Sequence, residues 1–367
     1  PAGISQIDGF AISAGDVVIV PMTTYIDPAG NEFADVVHAA PPPHLYATYK
    51  FNKYFSLGLG INAPYGLGGE TPLEVDGLPN PGRVVRHTSK MQSFNNELVV
   101  AISPWEGFTI AGGPSLVYST LEQERILLFG DQDGTVKVSS KAVGVGGQVG
   151  LFWRPKDIKR LRIGFNWKSR IELNYKGTAD NDSPLEFASL IPPDGDFKTM
   201  MTVPDQFRLG VSFDILKNLN LSMDFYYHLW KPVAKEMKLE FLGLEGTADD
   251  QVAVDVRNYE NSIYLLFGGT YVIKDKIILR LGYGYVQGAV PDEGVTIQLV
   301  DPDIHVISAG IGLDLGVFKA DLFGGTILPT TRETPDEPGA PTIKGKFDYV
   351  VPFVGLTLGF QYDFKKK

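Results

Sequence analysis

The chain reads as about fourteen strand-length segments of alternating polar and apolar residues, joined in strict rotation by a long loop and then a very short turn. A soluble sheet has no reason to sort its connections by length, whereas a sheet closed across a membrane carries short turns on one side and long loops on the other. The last segment shows the alternation most plainly. Val350, Pro352, Val354, Leu356, Leu358, Phe360, Tyr362 and Phe364 fall on one face, and Val351, Phe353, Gly355, Thr357, Gly359, Gln361 and Asp363 on the other. Successive side chains of a strand point to opposite sides, so this strand has one apolar wall and one small or polar wall. An apolar exterior that runs on without punctuation needs lipid, and the opposite face then lines a lumen.

Strands are expected near 8–26, 43–52, 55–66, 92–103, 107–121, 135–154, 159–177, 197–215, 219–239, 261–273, 277–288, 303–315, 317–328 and 347–364. Short joints fall at Asn52-Lys53, Pro104 to Gly107, Pro155 to Lys159, Leu216 to Asn218, Lys274 to Lys276 and around Gly316. Long joints fall at about 27–42, 67–91, 122–134, 178–196, 240–260, 289–302 and 329–346. This alternation gives an even strand number with both termini on the short-turn side, the periplasmic side of bacterial outer-membrane barrels. The expected fold is all-β, a 14-stranded antiparallel transmembrane β-barrel over residues 8–364, with a C-terminal tail at 365–367.

Composition fits that reading. Among 367 residues, 41 glycines, 22 phenylalanines and 16 tyrosines suit small inward positions and aromatic girdles. No stretch approaches about 18 uninterrupted apolar residues, which excludes a helical span. A net charge of -10 argues against a nucleic-acid partner, which needs a basic patch. With no cysteine there is no disulfide or metal–thiolate site, and neither a metal nor a cofactor is expected. The acids gather in the long loops, at Asp180 to Glu186, Glu245 with Asp249 and Asp250, and Glu333 to Glu337. They read as solvated loop charge, or as a bridge through divalent cations to lipopolysaccharide. Pro1 is preceded by no methionine, charged n-region or apolar h-region, so a signal peptide is not expected within this sequence.

The alternation also sorts the lumen. In the segment near 159–177 it puts Phe165, Trp167, Ile171, Leu173 and Tyr175 outside and Asn166, Lys168, Arg170, Glu172 and Asn174 inside. Arg208, Ser212 and Asp214, then Ser222, Asp224, Tyr226 and His228, share the inner face of the next two strands, and Arg280, Asp314, Lys319, Asp321 and Asp363 follow. A lipid-facing Arg or Lys at mid-depth costs about 2–4 kcal/mol, so these charges belong inside. They read as a ladder of paired charges. Lys168, Arg170, Arg208 and Arg280, with Tyr226 and His228 beside them, are candidates to meet the head group of an acidic ligand.

Two irregular places remain. Gly58, Gly60, Pro64 and Gly66 share one face of the third strand, where proline donates nothing and glycine weakens pairing. Gly60, Asn62, Pro64 and Gly66 thus mark a local weakness in the wall, unless Pro64 merely ends the strand. The loop near 178–196 contains Leu185, Phe187, Ala188, Leu190 and Ile191, and that near 122–134 contains Ile126, Leu127, Leu128 and Phe129. Such residues cover a barrel mouth or pack on one another. No enzyme is expected. The best constellation, His228 with Asp224, is four residues and about 13 Å apart along a strand, too far for a hydrogen bond. No P-loop, dinucleotide fingerprint or His-Glu-x-x-His pattern occurs.

Asn62-Ala63-Pro64-Tyr65-Gly66, Trp167-Lys168-Ser169-Arg170 through Tyr175-Lys176-Gly177, Val203-Pro204-Asp205-Gln206-Phe207, Val290-Pro291-Asp292 and Pro302-Asp303, in this order and with the aromatic C-terminus, resemble the FadL family of outer-membrane transporters for long-chain fatty acids and other hydrophobic compounds. The resemblance implies fourteen strands and an N-terminal hatch inside the barrel. Pro1-Ala2-Gly3 is similar to the end of that hatch, so residues 1–7 read as its remnant and the hatch is largely missing from this chain. It further implies passive transport across the bacterial outer membrane, with capture at the extracellular loops, for which Leu185, Phe187, Leu190, Ile191, Leu128 and Phe129 are the candidates, and lateral release near strand three through an opening at Gly60, Asn62, Pro64 and Gly66. The implied partners are a hydrophobic small molecule and outer-membrane lipid with lipopolysaccharide; detergent is expected in the purified protein, and a monomer. A general diffusion porin and a barrel hydrolase are the alternatives.

Overall fold

Alternation becomes closure because each segment pairs antiparallel with the next and the first pairs with the last. The computed structural model describes all residues except 38, 65, 85–86, 130–131, 185, 188–190, 244–249, 297–298, 335–342 and 365–367. Its barrel strands begin with β1 (Phe10–Ile19, continued by Met22–Ile26), β2 (His44–Lys50), β3 (Phe55–Asn62, continued by Gly66–Glu70), β4 (Thr88–Trp105), β5 (Phe108–Phe129), β6 (Gln132–Trp153) and β7 (Leu161–Lys168, continued by Ile171–Asp182). They end with β8 (Gly195–Val203 and Gln206–Leu216), β9 (Leu219–His228 and Glu236–Gly243), β10 (Ser262–Ile273), β11 (Ile277–Val286), β12 (Ile304–Asp314), β13 (Phe318–Glu333) and β14 (Lys346–Tyr362). Phe10 of β1 lies opposite both Tyr49 of β2 and Tyr362 of β14, which makes the fourteen-stranded ring. A ring has no open edge, so its ladder satisfies backbone groups where water cannot.

The outer wall is apolar through its middle, with Leu98, Leu116, Val145, Leu209, Leu281, Leu322 and Leu358 exposed. Trp105, Trp153, Phe318 and Phe364 stand at the short-turn end, and Phe94 and Tyr118 near the opposite limit. Only lipid satisfies such a surface.

Wall height is uneven. β5 and β6 each run 22 residues, whereas β10, β11 and β12 have 12, 10 and 11. Above the low side, loops and strand ends pack into a cap. Tyr25, Phe33, Ala234, Tyr259, Val290, Val295, Val300, Ile343 and Phe347 are its buried core, with Trp230 and Leu299 against it. Arg332 pins the cap by donating to the carbonyls of Val290, Val300 and Asp301 and to Asp292 Oδ1, at 2.7–3.0 Å.

Two expectations are corrected. Residues 122–129 and 132–134 are strand rather than loop, paired from Glu122↔Ser139 to Phe129↔Gln132. Above the lipid the outward face meets water, so Glu122 and Glu124 are outward positions of a continuing strand, not its end. In β7 the two faces exchange partway up. Register against β6 moves by one residue between Gln148↔Lys168 and Lys141↔Lys176, and the strand breaks at Ser169 and Arg170. A one-residue bulge swaps the faces of a strand because its side-chain period is two. Ile171, Leu173 and Tyr175 therefore turn inward and are buried with Val117, Leu121 and Ala142, while Glu172 and Asn174 are exposed outside.

Inside the short-turn end, the 3-10 turn Ala2–Gln6 lies against one wall. Ala2 and Ile4 pack on Val99, Ala101, Ala111 and Phe152, and Ser5 Oγ meets Thr109 Oγ1 at 2.8 Å. Across from it runs the expected charge ladder: Arg162 with Asp214, Arg280 with Asp321 at 2.5 Å, and Lys319 with Asp314 at 3.4 Å.

Candidate functional site

The wall is interrupted at β3. Its ladder with β2 ends at His44↔Asn62, and its register against β4 moves by one residue between Asn62↔Asn95 and Gly66↔Gln92. Toward the β2 side, the next described pairing of β3 is the single bridge Val36↔Glu70. Pro64, which has no N–H to give, stands exposed in the gap. It interrupts the strand rather than ending it, since β3 resumes at Gly66. The register shift corrects one assignment: Gly66 pairs at an outward position, while Gly60 and Asn62 remain inward. Gly60 leaves room for the Tyr46 ring, which a Cβ there would approach to 3.2 Å. Tyr65 lies outside the described residues.

Behind this break are two adjoining cavities. One, of about 600 Å³, is lined by Pro42, Pro43, His44, Tyr46, Asn62 and Ala63 at the wall and by Glu97 and Asn166 in the lumen. The other, of about 300 Å³, is lined by Asn95, Ser115, Val117, Ile171, Gln206, Tyr226, His228 and Tyr264, with Trp230 of the cap above. They share Pro64, Gln148, Lys168 and Arg208, so open space runs from beneath the cap to the break in β3.

The two shared cations are held differently. Lys168 Nζ donates to Glu97 Oε1 at 2.5 Å, and Asn95 Nδ2 donates to the same oxygen at 2.7 Å. Arg208 donates to the Gln206 amide oxygen at 2.8 Å and lies over the Tyr226 ring at 4.7 Å, with no ion pair to a carboxylate among the described residues. Buried polar atoms without a hydrogen-bond partner collect around it: Arg208 Nε, Gln148 Nε2 and His228 Nε2. His228 stands edge-on to Tyr264 at 4.5 Å. Leaving a buried donor unpaired costs about 1–3 kcal/mol, and a ligand oxygen placed here would relieve that cost.

Of the residues picked from the sequence, Lys168, Arg208, Tyr226 and His228 come together here, and Asn62 and Pro64 join them from the wall. Arg170 does not. It is tied to Asp205, which accepts from its backbone N–H at 3.2 Å and its Nε at 2.9 Å. Arg280 is paired with Asp321 near the short turns and lines neither cavity. Leu128 is exposed on β5, Phe129 stacks on Phe187 at 4.7 Å, Ile191 is buried, and Leu185 and Leu190 lie outside the described residues. Sequence reasoning missed Glu97, Gln148, Trp230 and Tyr264. Gln148 was reachable as a lone long polar side chain at an inward position of a glycine-rich strand, and Glu97 as the one carboxylate on the inward face of β4.

Comparison with known proteins agrees with this architecture. The chain is 25% identical over 327 residues to a 47 kDa outer membrane protein of Pasteurella multocida, covering 84% of this chain and 75% of that protein. It is 22% identical over 348 residues to the long-chain fatty acid transport protein of Salmonella typhi, with the same two coverages. A crystal structure of a Pseudomonas aeruginosa FadL homologue matches with a TM-score of 0.80 at 16% identity, over 99% of this chain and 92% of that one. The Ralstonia pickettii toluene transporter TbuX gives 0.76 at 17%, with coverages of 99% and 92%. At such identities the structural likeness carries the fold, a closed outer-membrane barrel. Residues 1–317 match the family model described as outer membrane protein transport protein (OMPP1/FadL/TodX), and the chain belongs to that family.

Proposed function

We propose that this barrel passes hydrophobic small molecules, long-chain fatty acids or hydrocarbons, passively through the outer membrane and releases them sideways at the break in β3. The family is one of outer-membrane transport proteins rather than enzymes. Two similar proteins are named for a fatty acid and for toluene, which supports a hydrophobic cargo. The observation that carries the reading is the continuity of the two cavities from Trp230 to Asn62, Ala63 and Pro64. A lateral exit suits an acyl chain, because a water-filled one forfeits about 0.8 kcal/mol per exposed methylene.

In this reading Arg208, flanked by His228 and Gln148, receives the head group of an acidic cargo, and Lys168 stays engaged with Glu97. Leu128, Phe129, Phe187 and Ile191 form the capture face. The closed ring acts as a monomer, and detergent fills the cavities of the purified protein.

Deleting Ala63 removes the extra residue of β3 and should restore its register with β4. The expected result is a barrel that still shows a heat-dependent gel shift but has lost saturable uptake of oleate. Unchanged uptake would overturn the lateral route. Ion conduction by the native protein in a planar bilayer, without saturable uptake, would instead make it a diffusion porin.

A further inference from the structure

We infer that the outer wall of β5 to β8 carries a binding site for lipopolysaccharide, built on Lys141, Lys176 and Lys198. These lysines are direct cross-strand neighbours, Lys141↔Lys176 between β6 and β7 and Lys176↔Lys198 between β7 and β8. All three are exposed and point away from the lumen, as the burial of Ala142, Tyr175 and Phe197 beside them requires. None forms an ion pair among the described residues, although Glu240 stands opposite Lys198. Like charges directly opposite one another repel, and the net charge of -10 left many acids available for this row. An anion lying along it removes the repulsion.

The row's position names the anion. Thr120 of β5 and Gln92 of β4 extend it with a hydroxyl and an amide. The row immediately beneath is Phe94, Tyr118, Val143, Asn174 and Met200, of which Phe94, Tyr118, Val143 and Met200 are exposed by 41%, 41%, 59% and 52%. A line of cations and hydrogen-bond donors thus sits at the upper margin of the apolar belt, where outer-leaflet phosphates lie over their acyl chains. Ammonium groups bind phosphate oxygens by charge-assisted hydrogen bonds, and the apolar row below takes the acyl chains. The site is remote from the lumen and does not depend on what the barrel carries.

The test titrates purified, refolded protein with bisphosphorylated lipid A, reading bound lipid by native mass spectrometry. The triple variant K141Q/K176Q/K198Q is compared with K53Q/K217Q/K274Q, which removes the same charge at the short turns. The inference requires at least about tenfold weaker lipid A binding in the first variant and none in the second. Retained affinity in the first variant, or equal binding of dephosphorylated lipid A, overturns it. Equally tight binding of phosphatidylglycerol would also overturn the assignment to lipopolysaccharide. The heat-dependent gel shift confirms that both variants are folded.

Discussion

Lys168 of β7 reaches across the lumen to Glu97 of β4, Nζ to Oε1 at 2.5 Å, joining two strands that are not neighbours in the ring and two residues 71 positions apart. The pair divides the labour among the lumen cations: Lys168 is spoken for, and Arg208 is not. Arg208→Gln should therefore weaken binding of oleate by about 10–100-fold, the worth of a charge-assisted hydrogen bond. Binding of toluene, which has no head group, should be unchanged. Glu97→Gln releases Lys168 and should tighten oleate. Fluorescence displacement on detergent-purified protein measures all three, and an equal loss for oleate and toluene in Arg208→Gln would show that the residue shapes the cavity instead.

Asp205 is buried between the two parts of β8 and holds the bulge of β7 by accepting from Arg170 N and Nε. Asp205→Ala takes away the acceptor shared by the Arg170 backbone N–H and Nε, at about 1–3 kcal/mol. Urea unfolding in lipid vesicles, followed by tryptophan fluorescence, should show a lower midpoint with an unchanged slope. A midpoint equal to wild type would mean that the bulge is held by its ladder alone.

Arg332 satisfies four acceptors with one guanidinium. Arg332→Ala should loosen residues 287–303, and limited proteolysis from the outer face should cut there on the order of tenfold faster. Arg332→Lys should recover little, because one ammonium lacks the planar fork that spans these oxygens.

Asp35, in the loop between the Glu32–Ala34 strand and the Val36↔Glu70 bridge, gives the upper end of the gap a pH response. Burial pushes its carboxyl up to about 7, against a hydrogen bond from Thr71 Oγ1 at 3.1 Å that favours the charged form. A carboxyl raised in the folded state stabilises it fully below the ordinary carboxylate range and loses that contribution as pH rises through about 7. Opening of this loop should thus grow about tenfold between pH 6 and pH 8. Hydrogen exchange over 32–36 reads it directly, and Asp35→Asn should flatten the response.

Strand number and the side of the termini were legible because they rest on period and joint length, which are local. Arg208, Tyr226 and His228 were legible for the same reason, being inward positions on uninterrupted stretches. What escaped was phase and pairing. The bulge at Ser169 and Arg170 exchanges the faces of β7 and sits opposite Pro204 and Asp205, a partner strand that single-segment periodicity does not see. Which cation would be neutralised was equally hidden, since Glu97 meets Lys168 only once the ring has closed.

The uneven rim of the barrel divides it mechanically. Around β5 and β6 the wall is continuous hydrogen-bonded sheet, which bends only as a whole. Over β10 to β12 the cap is held by side-chain packing and by separate hydrogen bonds, among them those of Arg332 and those that Asp301 Oδ2 accepts from Ala289 N and Val290 N, contacts that break a few at a time. Compliance is therefore concentrated on one side of the mouth. Under strain the low side of the mouth gives way first, and the high side keeps its shape.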